Sequence, residues 1–297
     1  MTPKASMIVR QIVRNTSRIT GVSTRAAVAS HNGSSILGSS SSQRRMASSM
    51  SAGDALKKLA AETPHKDVLH YDHKNVKWSL KQVNYFAEAL AAGLVDAGLQ
   101  PGDKVLSWLP LHFSEQHVLQ FACSKAGFIL YTLDPSQAKT DPEGAKEALK
   151  KAMEVTEANV LVTQEAGNDV NYIKLVEGVI PETRIFDFGD GMPFFSPRFP
   201  HLRFPIHTGF DITDKYGFMP LKHMLVPTGD LSNALSEFQI DGSTPLAGDL
   251  VIGSDGIPTK KGKVLSNEEV VKGNVWPELT SVLQKQYNKI GGVGVTF

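Results

Sequence analysis

Apolar residues from Val83 onward recur at spacings of three and four: Val83, Phe86, Ala87, Leu90, Ala91 and Leu94. That period predicts an amphipathic helix. Ser79-Leu80-Lys81-Gln82 ahead of it reads as a capping box, with Ser79 as cap and Gln82 reaching back. Gly98 ends the helix as a C′ residue, and Pro101 follows. Between helices lie short apolar runs. Val105–Leu109, Phe128–Leu133 and Val160–Thr163 predict buried strands, and Asp67–His70 and Val76–Trp78 two shorter ones. A second helix, capped by Ser114, turns Val118, Phe121, Ala122 and the stem of Lys125 inward and ends at Gly127. Helices are further expected at Glu143–Val155, Asn171–Glu177 and Glu268–Lys289, with one helical turn at Lys222–Leu225. Strands are expected at Arg184–Phe188, Arg203–Thr208 and Gly248–Ile252. Strand–helix repetition with continuous apolar strands predicts an α/β fold of three layers, a mainly parallel sheet with helices on both faces. Crossovers should be right-handed.

The texture changes from Gly189 to Phe218, where glycine, proline and aromatics dominate. Phe194, Phe195, Phe199, Phe204, Phe210 and Phe218 are read as pegs of a long connection wrapped over the core, with a hydrophobic contact surface as the sharper alternative. Charge divides the 297-residue chain further. Its first 53 residues hold seven basic residues and no acid, which leaves 24 basic and 30 acidic residues, a net of −6, in 54–297. An acid-free, Arg- and Ser-rich start, with Ile8, Ile12 and Val13 on one helical face, is the composition of a mitochondrial transit peptide over residues 1–50. A plastid address is its main rival. The acidic body argues against nucleic acid as a partner. The single Cys123 allows no disulfide and reads as a small core residue. No apolar run reaches the roughly 20 residues that span a bilayer, leaving at most peripheral membrane association through a complex. His65, His70 and His73, and the pair His112 and His117, lack the spacing of a metal site.

Several segments in order carry a resemblance. They are Trp78-Ser79-Leu80, the turn Gly98-Leu99-Gln100-Pro101-Gly102-Asp103-Lys104-Val105, Leu109-Pro110, Lys125-Ala126-Gly127-Phe128, Leu133-Asp134-Pro135-Ser136 and Val160-Leu161-Val162-Thr163. Leu202–Gly209 and Leu250–Val271 follow. Together they resemble the N-terminal part of the AMP-forming acyl-CoA synthetases, within the superfamily of adenylating enzymes. The resemblance implies the first subdomain of that fold over 54–245. It also implies a segment 246–297 holding a worn phosphate loop, a helix and a short tail.

In the resembled enzymes a Ser-, Thr- and Gly-rich loop ending in Pro-Lys-Gly surrounds the phosphates of ATP with backbone N–H groups and a lysine. Here the matching positions are Ser254, Gly256, Thr259, Lys261 and Gly262. Asp255, Pro258 and Lys260 depart from the pattern, adding a negative charge and removing a donor. Adenine-binding segments, acyl pocket, magnesium-coordinating acid and catalytic lysine follow this loop in the family and have no counterpart here. The expectation is therefore a non-catalytic domain with no catalytic residue, metal or cofactor. Its partners would be other protein subunits of a mitochondrial assembly, such as a respiratory-chain or ATP synthase complex, in the matrix or on the matrix side of the inner membrane. The alternative is an AMP-dependent acyl-CoA ligase or half-enzyme completed by a partner chain, using ATP and Mg. A third reading is a sensor that binds nucleotide or acyl groups without turnover.

Overall fold

The computed structural model describes residues 50–167, 169–209, 215–226 and 233–291. Residues 1–49, which hold the expected transit peptide, lie outside the described residues, as do Phe210 and the tail at 292–297. Helix α1 (Ala52–Glu62) is capped by Ser51, whose Oγ accepts the Asp54 N–H at 3.1 Å. Strands β1 (Asp67–Tyr71) and β2 (Val76–Ser79) pair antiparallel. Helix α2 (Leu80–Asp96) starts at the expected capping box: the Ser79 N–H donates to Gln82 Oε1 at 2.9 Å, and Ser79 Oγ accepts the Gln82 N–H. Two otherwise orphaned donors are satisfied there.

β3 (Lys104–Trp108), α3 (Ser114–Ala126), β4 (Ile129–Thr132), α4 (Pro142–Thr156) and β5 (Val160–Thr163) continue the alternation. A small hairpin, β6 (Ala166–Gly167) and β7 (Val170–Asn171), precedes α5 (Tyr172–Val179). Then come β8 (Phe204–His207), β9 (Met219–Pro220), α6 (Asn233–Ser236), β10 (Pro245–Ile252) and β11 (Pro258–Ser266). The last elements are α7 (Asn267–Lys272), α8 (Pro277–Leu283) and β12 (Asn288–Ile290). The main sheet runs β11-β10-β4-β3-β5-β8-β9, and every neighbouring pair is parallel except β10–β11. A second sheet, β12-β1-β2, joins residues 288–290 to 69–71 in parallel.

The main strands are apolar throughout because both faces are covered. Val105, Leu130, Val160, Val162 and Ile206 enter one core with α1, α2, α3 and α8. Leu106, Tyr131 and Leu161 enter the other with α4 and α5. This alternation within continuous apolar runs is what a two-sided parallel sheet requires. The expected three-layer α/β fold is therefore the one observed. The described residues belong to one compact unit, Ala47–Phe297, in which the segment after 245 supplies two strands of the main sheet.

Three local expectations are corrected. Ser114 is the first residue of α3 and not its cap; Phe113 holds the cap position without a side-chain bond. Arg184–Phe188 is not a strand. The place beside β5 is taken by β8, and 181–190 forms two 3-10 turns, the second closed by Asp187, whose Oδ1 accepts the Gly189 N–H at 2.7 Å. The helix expected at Glu268–Lys289 is broken in two. Asn274 takes φ +49°, Pro277 starts α8, and Lys285 at φ +57° turns the chain into β12. A proline inside one long helix would have removed a backbone bond and clashed with the turn before it. In the aromatic connection Phe194, Phe199 and Phe218 are buried pegs, whereas Phe195 is 64% exposed.

Candidate functional site

β10 and β11 form an antiparallel hairpin whose register shifts at three places. Its turn, 253–257, is closed from within. The Gly253 N–H donates to the Ile257 carbonyl at 2.8 Å, and the Gly256 N–H to the Gly253 carbonyl at 3.1 Å. The Ile257 N–H donates to Asp255 Oδ1 at 3.0 Å. Gly256 adopts φ +80°, a conformation that favours glycine. Of the five residues matched to the phosphate loop, only Ser254 and Gly256 lie in this turn. Thr259, Lys261 and Gly262 are spread along β11. Thr259 Oγ1 donates to the Val251 carbonyl at 3.0 Å. Lys261 Nζ lies 3.0 Å from Glu157 Oε2, which Lys104 Nζ also approaches at 3.0 Å. Lys104 and then Lys261 pull the exposed Glu157 carboxyl down to about 2. The extended backbone of β11 spaces these residues along a strand and does not gather them around one centre.

Beside this turn the sheet opens. β10 pairs with β4 only at Ala247 and Gly248, then diverges toward β11. The divergence leaves a cavity of about 570 Å³ at the carboxyl ends of the two strands, the usual location of ligand sites in open α/β sheets. Trp108, Leu133, Ala148, Leu250 and Trp276 contribute apolar lining. Asp134, Gln137, Asp249 and Gly256 contribute polar lining. Leu133, Asp134 and Ser136, noted in the sequence only as part of the resemblance, form one wall. Trp276 and Ala148 carried no signal, because they arrive from elements distant in sequence.

The histidines gather elsewhere. The Tyr71 hydroxyl lies 3.0 Å from His117 Nδ1 in the core, and His73 and His112 meet edge to face at 5.8 Å. Burial first, then His112, pushes His117 down to about 3; burial also lowers His112 and His73. Among the described residues no group of three or more His, Cys, Asp or Glu is arranged to hold a metal ion. Burial raises the Cys123 thiol, so it stays protonated, as a small core residue would. No described helix is long and apolar enough to cross a membrane.

The AMP-binding enzyme family matches residues 56–188. YngI of Bacillus subtilis (strain 168), which carries an acyl-CoA synthetase name, is 26% identical over 157 residues, covering 53% of this chain and 27% of the relative. The mitochondrial medium-chain acyl-CoA ligase ACSF2 of Bos taurus is 26% identical over 135 residues, covering 46% of this chain and 21% of the relative. The chain thus spans about a quarter of these relatives' own length. Among solved structures, acetoacetyl-CoA synthetase from Streptomyces lividans superposes with a TM-score of 0.60 at 16% identity, covering 81% of this chain and 38% of that one. A luciferase-like enzyme from Zophobas morio gives 0.58 at 13% identity, covering 83% and 55%. At such identities the superpositions establish the fold alone. Residues 56–188 are thus similar to the AMP-binding enzyme family, and the chain resembles the N-terminal part of the acyl-CoA synthetases in the fold of the adenylate-forming enzymes.

Proposed function

We propose that this domain does not adenylate a carboxylate and serves as a structural, accessory subunit of a mitochondrial protein assembly. The observation that carries the reading is the closed turn. A phosphate loop binds by presenting free backbone N–H groups to the anion. In this turn the amides of Gly253, Gly256 and Ile257 are already committed, one of them to the carboxylate of Asp255. Lys261, at the position of the family's loop lysine, is engaged by Glu157. The donor set therefore does not fit a triphosphate. A mitochondrial address is supported by the composition of residues 1–53 and by the mitochondrial designation of the ACSF2 relatives.

The competing reading, an AMP-dependent acyl-CoA ligase or half-enzyme completed by a partner chain, rests on family likeness. Radiolabelled pyrophosphate exchange by the purified chain, with ATP, Mg and a panel of carboxylates, separates the two. No exchange above background is expected, and robust exchange overturns the non-catalytic reading. Native electrophoresis of mitochondria is expected to place the protein in a larger assembly. Migration as a free monomer overturns the accessory role.

A further inference from the structure

We propose that the cavity between β4 and β10 is a binding site for an apolar small molecule bearing an amine. This inference does not depend on whether the neighbouring turn binds phosphate. The cavity is within the size range of small-molecule sites, about 300–1,000 Å³. Its origin is structural: β10 holds to β4 by two residue pairs and then bends away to form the hairpin. Ala145 and Ala148, three residues apart on α4, keep the space open where larger side chains would fill it. The indoles of Trp108 and Trp276, with Leu133 and Leu250, give it apolar walls.

The sign of charge selects the ligand. Asp134, Asp249 and Lys263 are the charged residues of the lining. Lys263 is neutralised, its Nζ 2.6 Å from Glu269 Oε1. Asp134 is held in place by accepting the Ser136 N–H and hydroxyl, at 2.9 and 2.7 Å. Asp249 accepts the Leu250 N–H at 2.9 Å. Neither aspartate has a cationic partner among the described residues. Two uncompensated carboxylates beside an apolar space repel an anionic head group and attract an ammonium.

Calorimetric titration of the full chain with 4-phenylbutylamine, 4-phenylbutanol and 5-phenylpentanoate tests the site. The amine is expected to bind about tenfold more tightly than the alcohol through a charge-assisted contact, and the carboxylate to give no heat. Ala148→Trp fills the cavity and is expected to abolish binding of the amine. Asp249→Asn, a change at an exposed side chain that leaves the core intact, is expected to weaken the amine about fivefold or more and leave the alcohol unchanged. The carboxylate binding as well as the amine overturns the proposal. So does absence of heat from both amine and alcohol, or binding that Asp249→Asn does not alter. The readout is separate from pyrophosphate exchange, so either proposal can fail without the other.

Discussion

His117 shows how far a single residue's environment sets its chemistry. The side chain is buried in the core, its Nδ1 3.0 Å from the Tyr71 hydroxyl. Its folded pKa, about 3, lies below the ordinary 6.5. As pH falls from about 6.5 toward 3, the unfolded chain takes up this proton and the folded one does not. The stability contributed by the neutral ring is therefore complete above 6.5 and is lost progressively below it. The slope from this residue reaches at most about 1.4 kcal/mol per pH unit. Urea unfolding at several pH values should show it, and His117→Gln should flatten the dependence in that window. Gly93 is set by close approach instead. A Cβ there would sit 1.8 Å from the Met224 carbonyl oxygen. Gly93→Ala is expected to destabilise by about 1–3 kcal/mol through overpacking, in spite of the better helix propensity of alanine. Chemical denaturation measures it; an unchanged midpoint would mean the two segments can part freely.

Among elements, α2 was legible to its first residue. Its capping box and apolar spacing are local properties, and the local answer agrees with the tertiary one. β5 was likewise found at Val160–Thr163, because four consecutive apolar or β-branched residues have few other uses. Arg184–Phe188 misled because an apolar-rich run of five looks the same whether it pairs in a sheet or stacks its rings. Phe186 meets Phe188 and Phe194 edge to face instead, at 4.8 and 5.1 Å between ring centres. The β10–β11 hairpin was half legible. The strand at Gly248–Ile252 was expected, but the internal closure of the turn by Asp255 depends on how two strands align. Gly256→Ala should strain the turn at φ +80° and cost about 1–2 kcal/mol, read as a lowered thermal midpoint. A variant as stable as the parent would show that the turn adopts another conformation.

At the scale of the molecule, the last described strand closes the fold. β12 pairs with β1 more than 200 residues earlier, and Ile290, 7% exposed, enters the same core as Phe121 and Leu90. Ile290→Ala is expected to cost about 2–5 kcal/mol and Phe121→Ala about 3–5 kcal/mol. Both should shift one cooperative unfolding transition, since Ala47–Phe297 is a single compact unit. Two separate transitions after Ile290→Ala would show that the second sheet is an independent part.

The α/β class, the capping of α2, the strands at Val105–Leu109, Phe128–Leu133 and Val160–Thr163, the AMP-binding resemblance and the basic, acid-free first 53 residues are legible in the sequence alone. Each of these rests on the period of apolar positions or on residues adjacent in the chain. Only the tertiary structure decided the strand order, the break between α7 and α8, the engagement of Lys261 by Glu157 and the cavity between β4 and β10. The engagement of Lys261 and the cavity arise where residues about a hundred positions apart meet, and the strand order where whole elements dock; the break between α7 and α8 sits at Asn274 and Pro277. A hydrogen bond or a void at such a meeting is set by the geometry of both partners, and no local pattern encodes it.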